Sequence, residues 1–402
     1  MRVLVISHTY IVDLNCEKLR ALAQLSPDLE VTVVVPQRWR PGGVQNRIIE
    51  PELREEGRFK VIPVGNFSEN NQGLLCFGPG LITLLKETRP QVIQVEQGAK
   101  SLAYAQAIAL NRALRLQAKN VFFTWWNLPY ELKFPVSLLE AYNLRHSHGI
   151  VAGNQDGADI LRQRGYGGPI RVMPQLGVDE RLFQPQPQPE LAAHLGLAPE
   201  TFVIGFVGRF VAEKGLLTLW QALAALKDHS RPWACLMLGR GPLRQQLEEQ
   251  ARDWGLCDGA KGPVFDHRIH FIESVPHTEV PRYLNLMHTL VLPSETTDQF
   301  KTLTSAGWKE QFGHVLIEAM ACKVPVIGSD SGEIPHVIQD AGLVFPEGNA
   351  KALAESLQTL MEQPTTHAAL AQKGYERAMT HYTNRALAQQ QLDFYQELGV
   401  AP

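Results

Sequence analysis

Short apolar runs alternate with amphipathic stretches along the whole chain. Residues 3–6 and 31–35 are apolar runs rich in β-branched side chains, and residues 17–25 between them carry apolar side chains at helical spacing. Apolar runs separated by helical segments are typical of parallel strands in a sheet covered on both faces. Further runs of this kind lie at residues 92–95, 121–124, 202–207, 233–238, 270–272, 290–292 and 324–327.

Proline alternates with glutamine in the middle of the chain. Residues 184–189 can form neither a helix interior nor a central strand, which indicates an extended linker. The sequence therefore predicts an α/β fold, with one Rossmann-like domain at residues 1–183 and a second at residues 190–380. Because ligands of open parallel sheets bind beyond the carboxyl ends of the strands, we expect two facing sheets with a cleft between them.

Composition excludes several classes of function. A net charge of -3, with no aromatic residues inside a basic run, argues against nucleic-acid binding. No apolar run approaches the roughly 18 residues of a membrane span. The apolar run within the first residues is too short for a signal peptide. We expect a cytoplasmic protein with at most peripheral contact at the inner membrane face. A reducing compartment also fits the five cysteines, which show neither zinc nor disulfide spacing: Cys16, Cys76, Cys235, Cys257 and Cys322.

A glycine and two cations follow the first predicted strand of the second domain. Gly208 lets the backbone approach a ligand closely, and Arg209 and Lys214 lie five positions apart on a loop and a helix start. Two such cations can flank a pyrophosphate, the guanidinium as a fork and the ammonium as a point charge. The alternative is an incidental basic pair on a solvated turn.

Two glutamates bracket a second predicted helix start. The helix is expected to begin near Gly313, with Glu310 on the preceding loop and Glu318 one turn inside. Backbone N–H groups at a helix N-terminus suit a phosphate, and carboxylates accept hydrogen bonds from the vicinal hydroxyls of ribose or a sugar. Alternatively, Glu310 caps the helix and Glu318 belongs to a solvated face.

The order and spacing of these motifs resemble retaining glycosyltransferase family four, whose members have the two-domain GT-B fold. The resemblance covers almost the whole second domain. In chain order the motifs are Gly208-Arg209, Lys214-Gly215, Glu310, Glu318 with the following Ala-Met-Ala, and Pro-Val-Ile-Gly-Ser-Asp-Ser-Gly at residues 325–332, supported by residues 175–179, 238–242 and 291–294.

The resemblance implies an enzyme that moves a sugar from a nucleotide diphosphate-sugar to a hydroxyl acceptor with retention, without a cofactor. The acceptor would be a sugar, a lipid-linked sugar or a small molecule. A terminal helix at residues 381–402 is implied to cross back to the first domain. The resemblance implies that Arg209 and Lys214, beside Gly208, bind the diphosphate. It implies that Glu310 binds the sugar together with the backbone of Phe312 and Gly313. The backbone of His314 and Val315 would contact the phosphates, and Glu318 would bind the ribose.

Three segments depart from the family pattern. Residues 8–15 lack the glycine pair common after the first strand, and residues 294–309 are longer than usual, as a flap over the donor or a surface insertion. Trp126 stands about where many relatives carry a histidine, and Asn127 is a candidate replacement for its hydrogen bonds. Together with Tyr10, which also follows a strand, these two residues are the acceptor-side candidates. Core packing is the alternative for the adjacent tryptophans Trp125 and Trp126.

Other functions on the same architecture remain open. A sugar-nucleotide epimerase would need acid/base groups at both domain faces, and a phosphorylase usually carries lysine-bound pyridoxal phosphate on a much longer chain. A non-catalytic sugar-nucleotide sensor would bind the donor without transfer. No Asp-x-Asp pair follows a strand of the second domain, and no histidine spacing is typical of zinc, so we expect no metal.

Overall fold

The computed structural model describes residues 1–41, 47–256, 268–301 and 306–401, and it contains two compact units. The first comprises Met1–Gly177 together with the chain end from Asn384, and the second lies between Val178 and Thr383. Among the cysteines considered above, Cys257 lies outside the described residues, and the other four are free thiols.

The boundary between the units differs from the expected one at residues 184–189. Val178 pairs with Thr383 and donates a hydrogen bond to the carbonyl of Tyr382 at 2.9 Å, which ties it to the second unit. Residues 184–188 therefore lie inside the second unit, and Pro189 begins a helix. Proline at the first position of a helix lacks only an N–H that would have no partner there, so the proline-rich segment leads into a helix.

The first unit is built on a largely parallel sheet. Its strands are β1 (Arg2–Ile6), β2 (Glu30–Pro36), β3 (Arg54–Glu56), β4 (Phe59–Val64), β5 (Asn66–Phe67), β6 (Cys76–Phe77), β7 (Val92–Val95), β8 (Lys119–Thr124), β9 (Gly149–Ala152) and β10 (Ile170–Val172). Within the described residues, eight of them form one sheet in the order β10-β9-β8-β7-β1-β2-β4-β3, in which only the edge strand β3 is antiparallel. Strands β5 and β6 form a separate antiparallel pair.

Helices cover both faces of this sheet. Along β1, Val3 and Val5 belong to one buried cluster, while Leu4 and Ile6 belong to another. Because neighbouring residues of a strand point to opposite faces, this alternation confirms the predicted doubly covered sheet. The helices are α1 (Glu17–Gln24), α2 (Gly80–Thr88), α3 (Leu102–Ala113), α4 (Val136–Arg145) and α5 (Gln155–Gln163).

The C-terminal helix, Asn384–Glu397, packs on the first unit. Its side chains Leu387 and Tyr395 belong to the same buried cluster as Val3 of β1. A buried polar contact adds to this packing, since Gln391 Nε2 and Tyr395 Oη both donate to Gln94 Oε1, at 2.9 and 3.0 Å. The helix therefore completes the core of a unit whose other residues lie at the opposite end of the chain.

The second unit contains an all-parallel sheet within the described residues. Its order is β13-β12-β11-β14-β17-β18, and a separate antiparallel hairpin is formed by β15 and β16 inside the expected long segment at residues 294–309. The strands are β11 (Phe202–Val207), β12 (Trp233–Leu238), β13 (Ile269–Ile272), β14 (Thr289–Leu292), β15 (Thr297–Lys301), β16 (Ala306–Trp308), β17 (Val326–Ser329) and β18 (Leu343–Phe345).

Helices of the second unit pack against its sheet and bury the strands. Across the described part of the whole chain, no helix is long and apolar enough to cross a membrane. The helices are α6 (Pro189–His194), α7 (Leu216–Ala225), α8 (Arg244–Asp253), α9 (Val280–Leu284), α10 (His314–Ala321), α11 (Ile334–Ile338), α12 (Ala350–Glu362) and α13 (Pro364–His381).

Candidate functional site

The loops that follow β11 and β12 are packed against each other. The backbone N–H of Gly208 donates to the carbonyl of Leu238 at 3.0 Å, and that of Phe210 donates to the carbonyl of Arg240 at 2.9 Å. A Cβ atom placed on Gly239 would lie 1.9 Å from the carbonyl oxygen of Gly208. Glycine is therefore required at position 239, and the close approach holds the exit of β11 in place.

Lys214 is held at the end of a short 3-10 helix, Ala212–Lys214. The following Gly215 has φ of +63°, a conformation that L residues rarely adopt, and it precedes helix α7. A Cβ atom on Gly215 would lie 1.7 Å from the carbonyl oxygen of Pro293. This contact brings the loop after β11 against the residues that follow β14, and it directs Lys214 toward them.

Glu310 contacts residues that follow three different strands of the sheet. Its Oε2 accepts hydrogen bonds from Lys214 Nζ, after β11, and from Ser294 Oγ, after β14, the latter at 2.8 Å. Its backbone carbonyl accepts from the N–H of Glu333, after β17, at 3.2 Å. A Cβ atom on Gly332 would lie 1.9 Å from that carbonyl, so the approach depends on glycine. Glu310 is buried and its carboxylate accepts hydrogen bonds from two other loops, which a role as a helix cap alone does not explain.

Arg209 lies on the same loop as Lys214 but has a different environment. Its side chain is 62% exposed, and its Nη2 is 3.4 Å from Oε1 of the buried Glu213. An exposed guanidinium held by a buried carboxylate can reorient toward an anion at little desolvation cost. The structure therefore gives the two predicted cations different partners, Glu213 for Arg209 and Glu310 for Lys214.

Helix α10 begins beside Glu310, as the sequence predicts. Gly313 precedes the helix with φ of +83°, and the ring of Phe312 packs against the rings of His314 and Tyr382, at centroid distances of 4.9 and 5.7 Å. The N–H groups of His314 and Val315 lie in the first helical turn, at the positive end of the helix dipole. This turn is thus a suitable place for a phosphate oxygen.

Glu318 is paired with a histidine that sequence reasoning missed. His277 Nε2 lies 2.9 Å from Glu318 Oε1, and the ring of His277 also packs against Phe183 at 5.2 Å. The hydrogen bond to Glu318 raises the pKa of His277, against the opposing effect of burial. No motif marks His277 in the sequence, because it precedes Glu318 by 41 residues and no spacing rule connects them.

Two of the three acceptor-side candidates in the first unit are buried. Tyr10 is fully buried in the core cluster that contains Val3, and Asn127 is only 4% exposed. Burial, together with the neighbouring Glu96, raises the pKa of Tyr10 well above its ordinary value. The expectation that Tyr10 presents a side chain to a ligand is therefore corrected: a 3-10 helix, His8–Ile11, turns it into the core.

The adjacent tryptophans have different surroundings. A Cβ atom on Gly153 would lie 2.2 Å from the Trp125 ring, and Trp125 Nε1 donates to Gln175 Oε1 at 3.0 Å, so Trp125, which is partly buried, packs against the core. Trp126 is half-buried, and Lys100 Nζ lies 4.0 Å from its ring centroid and 4.0 Å from that of Tyr130. Burial between these rings lowers the pKa of Lys100 to about 8.

A metal site would need several His, Cys, Asp or Glu side chains close together in the described ranges. Within them, no three or more His, Cys, Asp or Glu side chains are grouped so that they could hold a metal ion. Metal-independent turnover stays a prediction, which requires an assay.

Most of the second unit matches a known protein family. Residues 187–377 match the family described as glycosyl transferases group 1. The second unit belongs to this family. The matched range contains the loop at Gly208, Glu310 and helix α10, and the match confirms the family resemblance that the motifs predicted.

Two relatives illustrate how far the similarity extends. The lipopolysaccharide core biosynthesis mannosyltransferase LpsB of Rhizobium meliloti is 26% identical over 373 residues, which cover 88% of this chain and 93% of the relative. Alpha-D-kanosaminyltransferase of Streptomyces kanamyceticus is 26% identical over 213 residues, which cover 52% of this chain and 49% of the relative. The chain therefore spans about half the length of several curated relatives that it matches, although it matches LpsB over nearly its whole length.

A solved structure shows the fold. Alr3699/HepE of Anabaena in complex with UDP-glucose aligns over 99% of this chain and 100% of that chain, with a TM-score of 0.63 and 16% identity. At this identity the likeness concerns the fold alone, and it confirms the predicted GT-B class.

Proposed function

We propose that the chain transfers a sugar from a nucleotide diphosphate-sugar to a hydroxyl acceptor, with retention at the anomeric carbon. The observation that carries this proposal is the contact between Lys214 and Glu310. It places a cation and a carboxylate next to the first turn of helix α10, so that groups suited to a diphosphate and to sugar hydroxyls are neighbours. The activities for which the two relatives are named, mannosyl and kanosaminyl transfer, support a sugar donor.

In this proposal the donor lies along the carboxyl edge of the second unit's sheet. Lys214 and Arg209 neutralise the diphosphate, with help from the N–H groups of His314 and Val315. Glu310 accepts hydrogen bonds from the sugar hydroxyls, and Glu318 accepts them from the ribose hydroxyls. The complex of Alr3699/HepE with UDP-glucose supports a nucleotide-sugar ligand for this fold.

The proposed chemical step needs no covalent intermediate on the protein. The acceptor hydroxyl oxygen forms a bond to the anomeric carbon while the bond from that carbon to the phosphate oxygen breaks. The electron pair of the broken bond stays on the phosphate oxygen, which takes the hydroxyl proton on the same face of the sugar. The protein contributes by positioning both reactants and by stabilising the charge that develops on the leaving diphosphate.

Each part of the proposal has its own assay. A thermal-shift panel of UDP-, GDP- and ADP-glucose, UDP-galactose and GDP-mannose identifies the donor, because a ligand that binds only the native state raises Tm by mass action. We expect one nucleotide to raise Tm, and Arg209→Met to reduce that rise, while the surface control Arg282→Gln leaves it unchanged. Arg282 is an exposed cation of the same unit that is paired with Glu279.

The acceptor and the stereochemistry are then tested with the donor so identified. Transfer to a panel of monosaccharides and lipid-linked sugars, followed by NMR of the anomeric proton, should show the configuration of the donor retained. An inverted product would contradict the mechanism. Donor binding without transfer or slow hydrolysis would indicate a sensor, and conversion of the free nucleotide-sugar to its epimer would indicate an epimerase.

A further inference from the structure

A β-hairpin formed by β15 and β16 is inserted between the exit of β14 and Glu310. Thr297 pairs with Trp308 across its base, and Trp308 precedes Glu310 by two residues. The second arm of the hairpin thus leads directly into the carboxylate that binds Lys214. The sequence of this segment is compatible with two interpretations, a flap over the donor or a surface insertion.

Three hydrogen bonds anchor the base of the hairpin on the first arm. The Thr296 hydroxyl donates to Glu347 Oε1 at 2.7 Å, and the Thr296 backbone N–H donates to Glu347 Oε2. Glu347 is itself held, since its N–H donates to Asp330 Oδ1 at 2.8 Å. The neighbouring Glu295 N–H donates to the carbonyl of Glu213 at 2.9 Å, on the loop that carries Lys214.

The hairpin places an aromatic ring against Lys214. The ammonium nitrogen of Lys214 lies 5.1 Å from the centroid of the Trp308 ring, while it also contacts Glu310 Oε2. A lysine side chain has four rotatable bonds and loses considerable entropy when it is fixed in one place. A tryptophan face attracts a cation electrostatically, and the attraction grows when water is excluded. The side chain of Lys214 is only 15% exposed, so this condition holds.

We infer that Trp308 is a positioning residue for the donor site, which holds the Lys214 ammonium at the place where the donor diphosphate binds. This inference rests on the proposed function as far as the ligand is concerned. The contacts of the Lys214 ammonium with Trp308 and Glu310 are observed without any ligand and do not depend on the proposed function. Trp308 is therefore the residue of the hairpin that contributes to donor binding, and a donor analogue without a diphosphate should gain little from it.

The first test uses the free protein. Competitive labelling of lysines with acetic anhydride, followed by mass spectrometry, reports the environment of Lys214 without any donor. We expect Trp308→Leu to raise the labelling rate of Lys214 roughly five- to thirty-fold, the range of a partly desolvated cation–π contact. Trp308→Phe should restore most of the protection, and the control Phe300→Leu, which removes an exposed aromatic residue of the same hairpin, should not change it.

The second test measures the binding of UDP, GDP and ADP by calorimetry. Trp308→Leu should weaken binding of the preferred diphosphate by a similar factor, but it should add nothing in a Lys214→Met background, because the ring acts through the ammonium. Unchanged labelling of Lys214 in Trp308→Leu, or equal losses in Trp308→Leu and Phe300→Leu, would overturn the inference. Altered labelling in a protein that binds no nucleoside diphosphate would support the inference and refute only the proposed donor.

Discussion

Lys214 and Glu310, 96 residues apart in the chain, form an ion pair that is largely shielded from solvent. The exposed fractions of the two side chains are 15% and 9%. The two residues come from the exits of different strands, and Gly215 and Gly332 permit the close approaches that align them. The pair is thus a consequence of the fold of the whole second unit, and it is the feature on which the proposed donor site depends.

Removal of one partner from this pair should be more harmful than removal of both charges. Lys214→Met leaves the buried Glu310 carboxylate without its cation, which typically costs ~3–5 kcal/mol in a buried pair and less where some solvent remains. The double variant Lys214→Met/Glu310→Gln should recover most of the free energy of unfolding, measured in urea, but no transfer activity. A double variant as unstable as Lys214→Met would show that the pair does not account for the loss.

Most of the parallel strands could be predicted, because parallel, doubly covered strands are nearly continuous apolar runs. The predicted runs at residues 92–95, 202–207 and 233–238 coincide with the strands β7, β11 and β12. Strand β9, Gly149–Ala152, was missed, since a short run that begins with glycine gives little signal. Strand β4 was also missed, because Pro63 interrupts its pattern.

Only those parts of the candidate site that depend on short sequence motifs could be predicted. Gly208, Lys214 and the start of helix α10 follow from loop and helix signals within a few residues. The contacts of Glu318 with His277 and of Lys214 with Trp308 could not be predicted, because they join residues distant in sequence through the tertiary fold. For Tyr10 the strand-exit rule failed, since one turn of 3-10 helix was enough to direct its side chain into the core.

Glu318 should contribute to donor affinity rather than to the chemical step. If its carboxylate accepts hydrogen bonds from two ribose hydroxyls, Glu318→Ala loses charged hydrogen bonds worth ~1.5–3 kcal/mol, and the donor KM should rise accordingly. The kcat should change little, because the ribose is remote from the anomeric carbon. Steady-state kinetics with a varied donor measure both parameters. An unchanged donor KM in a folded variant would remove Glu318 from the site.

The pair of His277 and Glu318 should make stability depend on pH. The pKa of His277 is raised in the folded protein above the ordinary value of 6.5, so the pair contributes stability that is fully present below pH 6.5 and is lost as pH rises through the raised pKa. The Tm of the wild type should therefore fall relative to that of His277→Gln over this interval. Glu318→Gln should abolish the same difference. A constant difference in Tm at all pH values would contradict a titrating pair.

Substitution of Trp126 should distinguish a role in acceptor binding from a role in packing. Trp126 is half-buried beside Lys100, whereas Trp125 packs against Gly153. Trp126→Ala should reduce transfer more than donor hydrolysis, since only transfer needs the acceptor. Trp125→Ala should instead lower the free energy of unfolding, by up to ~3 kcal/mol given its partial burial, and reduce both activities together. Equal losses of transfer and hydrolysis in Trp126→Ala would favour a packing role for both tryptophans.

Turnover should require no divalent metal. A diphosphate ester carries about two negative charges, and charge develops on it as the bond to the anomeric carbon breaks. A metal ion that stabilised this charge would need hard oxygen ligands near the phosphates. Lys214 and Arg209 supply two positive charges, and the N-terminus of helix α10 adds a partial one. The charges of these groups are positive and sufficient in number to take the place of a divalent metal ion.

Exhaustive chelation with EDTA, with magnesium and manganese added back separately, tests this expectation on transfer and on donor binding. Both should be unchanged by the chelator in the wild type. In Arg209→Met, transfer should fall and added magnesium should not restore it, because the lost charge came from the protein. Activity that is abolished by the chelator and restored by either ion would demonstrate a metal site. It would also reduce the role assigned to Arg209 and Lys214, since a divalent ion on the diphosphate would already neutralise the charge that these two residues are proposed to stabilise.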